Sequence, residues 1–215
     1  MKLNRISVVL ADDHAMVRES LARVLKDSGA ITVKGQASDG LQLLEVVRNQ
    51  RPDCVVLDYS MPKLDAPHAI ERLVREDKQL KVLVLTVHEN VHYAVRSLEA
   101  GAHGYMIKSA AVDELVEAIN TVCRGNVYIS PKVSQDVWSQ LRRPKRDRLG
   151  LESLSQREFD ALRILGGGAG LQECAQQMNV STSTVSTYRS RILEKLNLST
   201  TAELIRFAIE NKVVG

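Results

Sequence analysis

The chain has 215 residues, 44% hydrophobic and 26% charged, with a formal net charge of +3. That size suits two modest domains, and the composition is neither that of a disordered tail nor of a fibrous repeat. No stretch approaches the roughly 18 apolar residues needed to span a bilayer, and Cys54, Cys123 and Cys174 lie in apolar segments without the paired spacing of a disulfide framework or a zinc site.

In chain order, ISVVLADD (Ile6 to Asp13) is an apolar run closing on two acids. A basic start precedes it, but the apolar stretch is too short for a signal peptide and runs straight into the acidic pair. Ala15 to Ser28 carries Val17, Leu21, Val24 and Leu25 on one helical stripe. ITVKGQA (Ile31 to Ala37) reads as a second strand, and Asp39 to Asn49 as a second helix. DCVVLDYSMP (Asp53 to Pro62) is a third strand ending at Asp58; helix Ala66 to Asp77 follows. KVLVLT (Lys81 to Thr86) ends on a hydroxyl and leads to helix Asn90 to Ala100. GYMIK (Gly104 to Lys108) ends on an ammonium and leads to helix Val112 to Arg124. Alternating strands and helices predict an α/β domain with a doubly wound parallel sheet of five strands, whose functional edge is formed by the strands' carboxyl ends.

Asp12, Asp13, Asp58, Thr86 and Lys108 therefore converge. Crowded carboxylates need a cation to remain ionised, and Mg²⁺ is the hard divalent ion suited to oxygen ligands. Phosphoryl transfer depends mainly on positioning and charge stabilisation. The set predicts Asp58 as an in-line nucleophile, Asp12, Asp13 and Asp58 as metal ligands, and Lys108 and Thr86 as partners of phosphoryl oxygens. A phosphohydrolase with an aspartate nucleophile needs a second acid two residues later. Here that residue is Ser60, so enzymatic turnover is not expected.

Met1 to about Arg124 resembles the receiver domain of two-component response regulators, through DDH, LDYSMP, the Leu85–Thr86 pair and GY..K. The resemblance implies that the backbone carbonyl of Ser60 completes the metal site and that Tyr105 swings inward as Thr86 is drawn to the phosphate. Ala66 and Val87 depart from the family's usual Gly and smaller residue.

Pro131 is placed to start a further helix with Ser130 as its cap, ending near Arg143. Residues 126–150 carry six basic against two acidic side chains, so the chain's positive balance lies in this helix and linker. Leu141 to Gly150, LRRPKRDRLG, reads as the linker between domains 1–125 and 151–215.

The last 65 residues are predicted to be all helical: Leu154 to Leu165, a break at Gly166 to Gly170, Leu171 to Met178, and Thr182 to Leu196 capped by Ser181, followed by Thr200 to Glu210. Val185, Ile192 and Leu196 face the core. Thr182, Ser183, Ser186, Arg189, Ser190 and Lys195 fall on the outer face, and Arg189 and Arg191 are expected to anchor DNA phosphates. LSQRE, S.STV and R.RI.EKL resemble the LuxR-type helix-turn-helix, placing the chain in the NarL/FixJ class. Gln172, Ser186 and Tyr188 depart from the family's usual Lys, Lys and His, which lowers expected affinity for DNA.

The resemblance implies a phosphorylation-controlled transcriptional regulator in the cytoplasm. Its implied partners are a sensor histidine kinase, double-stranded DNA and a second copy of itself when phosphorylated, with RNA polymerase a candidate. The alternative reading is a receiver-controlled protein-interaction module with weak or no DNA binding.

Overall fold

A computed structural model of the chain describes residues 5–108, 112–142 and 150–214. It divides into two compact units, Met1–Val137 and Trp138–Gly215. The basic run 143–149, including the expected helix end at Arg143, lies outside the described residues.

In the first unit the chain runs β1 (Ile6–Ala11), α1 (Ala15–Asp27), β2 (Ile31–Ala37), α2 (Gly40–Gln50), β3 (Cys54–Asp58), α3 (Ala66–Glu76), β4 (Lys81–Thr86), α4 (Val91–Glu99), β5 (Gly104–Ile107), α5 (Val112–Cys123), β6 (Tyr128–Ile129) and the start of α6 (Pro131–Leu141). The sheet is parallel throughout, in the order β2-β1-β3-β4-β5-β6. Six strands stand where five are expected. The sixth is only two residues long, too short for alternation to reveal, and is held to β5 by Tyr128 N–H donating to the His103 carbonyl (3.1 Å) and Ser130 N–H donating to the Tyr105 carbonyl (2.9 Å). Ser130, expected to cap α6, uses its hydroxyl to accept from Ile107 N–H (3.1 Å).

Because helices cover both faces, β3 is buried along its whole length and β1 and β4 at every residue but the first, as parallel sheets require. One face gathers Val8, Leu10, Val56, Leu83, Leu85 and Met106 against Leu115, Ile119 and Val122 of α5. Burying each such side chain contributes about 1.5–3 kcal/mol. Helix starts follow local chemistry: Asp39 accepts from Leu41 and Gln42 N–H, and Asn90 from His92 N–H. Both residues are caps preceding their helices, one position earlier than the first helical turn, because their side chains satisfy otherwise unpaired amides. Asp65 does the same for α3, and Ala66 behind it is fully buried.

The second unit contains a 3-10 turn (Gly150–Ser153), α7 (Gln156–Gly166), α8 (Leu171–Met178), α9 (Thr182–Lys195) and α10 (Thr201–Glu210). Ser155 and Thr200 each close a capping box, with Glu158 and Glu203 respectively. The glycine run after α7 has two structural causes. Gly168 sits at φ +91°, and a Cβ on Gly166 would lie 2.5 Å from the Ala208 side chain. Gly166→Ala is accordingly expected to push α7 away from α10 and lower stability by about 1–3 kcal/mol; urea denaturation of the full chain checks it.

Candidate functional site

Asp12 follows β1, Asp58 ends β3, Thr86 ends β4 and Lys108 follows β5. These four strands are neighbours in the sheet, so the parallel register brings all four residues to one edge. The Lys108 ammonium donates to Asp12 Oδ2 at 2.6 Å and lies 3.2 Å from Asp58 Oδ2. Lys108 is itself fixed by its backbone N–H, which donates to the Thr86 carbonyl at 2.7 Å. Asp12 and Asp58 are buried, whereas Asp13 is about one-third exposed.

Burial pushes the Asp58 carboxyl above the ordinary aspartate range; the Lys108 charge opposes this and Asp12 reinforces it. One ammonium between two buried carboxylates, with Asp13 beside them, leaves an excess of negative charge that suits a cation. Ligand atoms of Asp12, Asp13, His14 and Asp58 lie within 4.8 Å of one another. His14 is an addition to the residues expected. Its Nδ1 lies 2.8 Å from Asp13 Oδ1, and its backbone N–H donates to Asp12 Oδ1 at 2.8 Å. The DDH motif contained that signal, since the imidazole immediately follows both acids.

Ser60 N–H donates to the Asp58 carboxylate, while its hydroxyl bonds His88 Nε2 at 3.0 Å. His88 is a second residue that sequence patterning missed. Its N–H donates to Thr86 Oγ1 (3.1 Å), its carbonyl accepts from Tyr105 OH (2.8 Å), and its ring stacks on Tyr93 at 4.4 Å. Thr86 and Tyr105 are both fully buried. Burial pushes its phenol upward, keeping it a hydrogen-bond donor. Val87, between Thr86 and His88, is 67% exposed.

In the second unit, α8 ends at Asn179 in the left-handed conformation (φ 53°), and Ser181 caps α9 by accepting from Thr184 N–H at 3.2 Å. This tight turn sets two helices as a helix-turn-helix. Val185 and Ile192 are buried; Leu196 is half-buried. Thr182, Ser183, Ser186, Ser190 and Arg191 are exposed along α9. Two further residues expected on that face also have partners within the unit. The Arg189 side chain is half-buried and its Nε donates to Thr201 Oγ1 (2.9 Å). Lys195 donates to Glu158 Oε2 (2.7 Å) and to the Ser153 carbonyl (3.1 Å). Its long stem reaches across to α7, which helical periodicity alone does not reveal.

Two family descriptions match the chain: "Response regulator receiver domain" over residues 8–120 and "Bacterial regulatory proteins, luxR family" over residues 152–208. The chain belongs to the response regulators of the NarL/FixJ type, which join these two domains, and it is a DNA-binding transcriptional regulator of a two-component system. Among curated relatives it is 35% identical to the response regulator GacA of Pseudomonas aeruginosa over 209 residues, covering 97% of this chain and 98% of that one. It is 34% identical to the response regulator UvrY of Escherichia coli K12, over 96% of this chain and 94% of the other. Among solved structures, RcsB of Salmonella typhimurium shares the fold, with a TM-score of 0.78 at 23% identity over 97% of this chain and 98% of that one. A LuxR-family response regulator from Aurantimonas sp. SI85-9A1 aligns at 29% identity and a TM-score of 0.61, over 65% of this chain and all of the other.

No described helix is long and apolar enough to cross a membrane.

Proposed function

We propose that Asp58 is the phosphoacceptor through which a sensor histidine kinase controls DNA binding by this protein. The observation that carries this reading is the buried Asp58 carboxylate at a strand end, with the Lys108 ammonium bridging it to Asp12. An Asp58 oxygen attacks the phosphorus of the donor phosphohistidine; the phosphorus–nitrogen bond breaks, histidine leaves, and an acyl phosphate remains. Asp12, Asp13 and the Ser60 carbonyl are the residues proposed to hold Mg²⁺, which when bound supplies charge neutralisation for the incoming phosphoryl group. Lys108 then pairs with one phosphoryl oxygen and Thr86 donates its hydroxyl to another.

Drawing Thr86 toward the phosphate strains its bond from His88 N–H, and His88 holds the Tyr105 hydroxyl. Tyr105 is thus the switch residue, passing the change to α4, β5 and α5. The regulator works in the cytoplasm, and its phosphorylated form pairs as a homodimer on an inverted site, doubling a small set of basic contacts. In each copy α9 enters the major groove. Thr182, Ser183, Ser186 and Ser190 approach base edges or sugar-phosphate oxygens, and Arg191 anchors a phosphate. Arg189 and Lys195 position α9 against α10 and α7. RNA polymerase is a further partner where the bound site lies near a promoter.

Arg191→Ala is expected to weaken binding to all duplexes alike, with the slope of log affinity against log salt falling by about one. Fluorescence anisotropy over a salt series reads both quantities. Sequence preference that changes while the slope stays constant would assign Arg191 to base readout instead.

A further inference from the structure

On the α1/α5 face of the sheet, two cysteines meet at the end away from Asp58. Cys54 opens β3 and is fully buried; Cys123 closes α5, is half-buried, and packs against the apolar cluster that contains Cys54. The two side chains interact directly. The strand register places Lys81 opposite Cys54, so a cation lies beside the pair.

The two thiols differ in exposure, Cys54 being fully buried and Cys123 half-buried. A hydrogen bond from Cys54 holds the Cys123 thiol below the ordinary range; burial and Asp53 oppose this, and Lys81 assists it. Cys54 is pushed in the opposite direction by Cys123 and by its complete burial. A half-exposed thiol packed beside a fully buried one is the arrangement of an attacking and a resolving cysteine.

We propose that Cys54 and Cys123 are a modification site, forming a reversible intramolecular disulfide when the chain meets a peroxide. The Cys123 sulfur attacks one peroxide oxygen, the O–O bond breaks, and the departing hydroxide leaves as water with the thiol proton. Cys123 is now a sulfenic acid, oxidised by two electrons. The Cys54 sulfur attacks it, the S–O bond breaks, and a second water leaves with the Cys54 proton. Two thiols and one hydrogen peroxide thus give one disulfide and two waters, and a dithiol reductant returns both cysteines. The bond joins the first residue of β3 to the last of α5, fastening that helix to the sheet without touching Asp12, Asp58 or Lys108. Its formation does not depend on the assignment of Asp58.

The test uses the reduced full-length protein and one equivalent of hydrogen peroxide. Catalase quenches the reaction, N-ethylmaleimide is added in denaturant, and intact mass and peptide mapping follow. The expected product carries a single maleimide, on Cys174 of α8, and a peptide in which Cys54 is linked to Cys123; dithiothreitol added after the catalase quench and removed before labelling restores labelling of all three cysteines. Cys54→Ala and Cys123→Ser are each expected to abolish the linked peptide, and Cys174→Ser to retain it. The wild-type result decides the matter even if a variant folds poorly. Three maleimides after peroxide, a disulfide joining two chains, or Cys123 carried to sulfinic acid with Cys54 still free would each overturn the proposal.

Discussion

Asp58→Asn is expected to abolish labelling by acetyl phosphate while making the Met1–Val137 unit more resistant to heat. Loss of labelling follows from removing the nucleophile, and at least a 100-fold decrease in incorporated phosphate is expected. The gain in stability has a separate cause. Asp58 is a buried carboxylate whose charge is opposed by burial and by Asp12, and the neutral amide of Asn escapes both. Lys108 keeps its 2.6 Å bond to Asp12 in the variant. Without divalent cations the melting temperature should rise by roughly 2–4 °C, the response to about 1 kcal/mol in a chain of this size. Scanning calorimetry checks it; a lower melting temperature would mean that Lys108 overcompensates the burial of Asp58.

Glu158→Ala should destabilise the Trp138–Gly215 unit by about 2–4 kcal/mol, since one buried carboxylate joins three elements. It accepts from the Lys195 ammonium of α9 (2.7 Å) and from Ser155 N–H at the start of α7 (2.7 Å), and Lys195 also holds the Ser153 carbonyl of the 3-10 turn. Truncation leaves the Ser155 amide without its acceptor and frees α9 to shift against α7. Burial alone would push the Glu158 carboxyl up, but Lys195 and Ser155 outweigh it and hold it below its ordinary value of 4.5. With a depressed folded value, the carboxylate's contribution is complete above about pH 4.5 and is lost as pH falls through that lower value. The difference between wild type and Glu158→Ala should therefore be full at pH 7 and shrink under acid. Amide hydrogen exchange in α7 and α9 reads the effect locally; a difference that persists at pH 3 would assign it to packing and not to charge.

The strand-end logic was legible because parallel strands buried on both faces are continuous apolar runs. A polar residue ending such a run stands out, and four of them define Asp12, Asp58, Thr86 and Lys108. The sixth strand was not legible: Tyr128–Ile129 is two residues long and owes its existence to the edge that β5 offers. His88 was equally hidden. Nothing in VHEN shows that one imidazole bonds Ser60 while its backbone serves Thr86 and Tyr105, since these partners lie just beyond β3, at the end of β4 and within β5. In the second unit, Ser181, Val185 and Ile192 followed from capping and periodicity, which are local. The ion pair of Lys195 did not, because its partner Glu158 lies 37 positions away and solvent-facing periodicity describes where a stem leaves the helix, not where its charge arrives. The same limit applies to Arg189, whose guanidinium reaches Thr201 on the next helix.

Control of DNA binding through Asp58 is read from the DNA affinity of the full chain with and without trifluoroberyllate and Mg²⁺, a stable mimic of the phosphoryl group. Fluorescence anisotropy on a duplex selected from a random pool, run beside sedimentation at the same protein concentrations, reads occupancy and assembly together. The mimic is expected to raise affinity at least tenfold, equivalent to about 1.4 kcal/mol, with a parallel shift from monomer to dimer, and Asp58→Asn to abolish both changes. Equal affinity with and without the mimic, or an undiminished response in Asp58→Asn, would contradict control of DNA binding through Asp58.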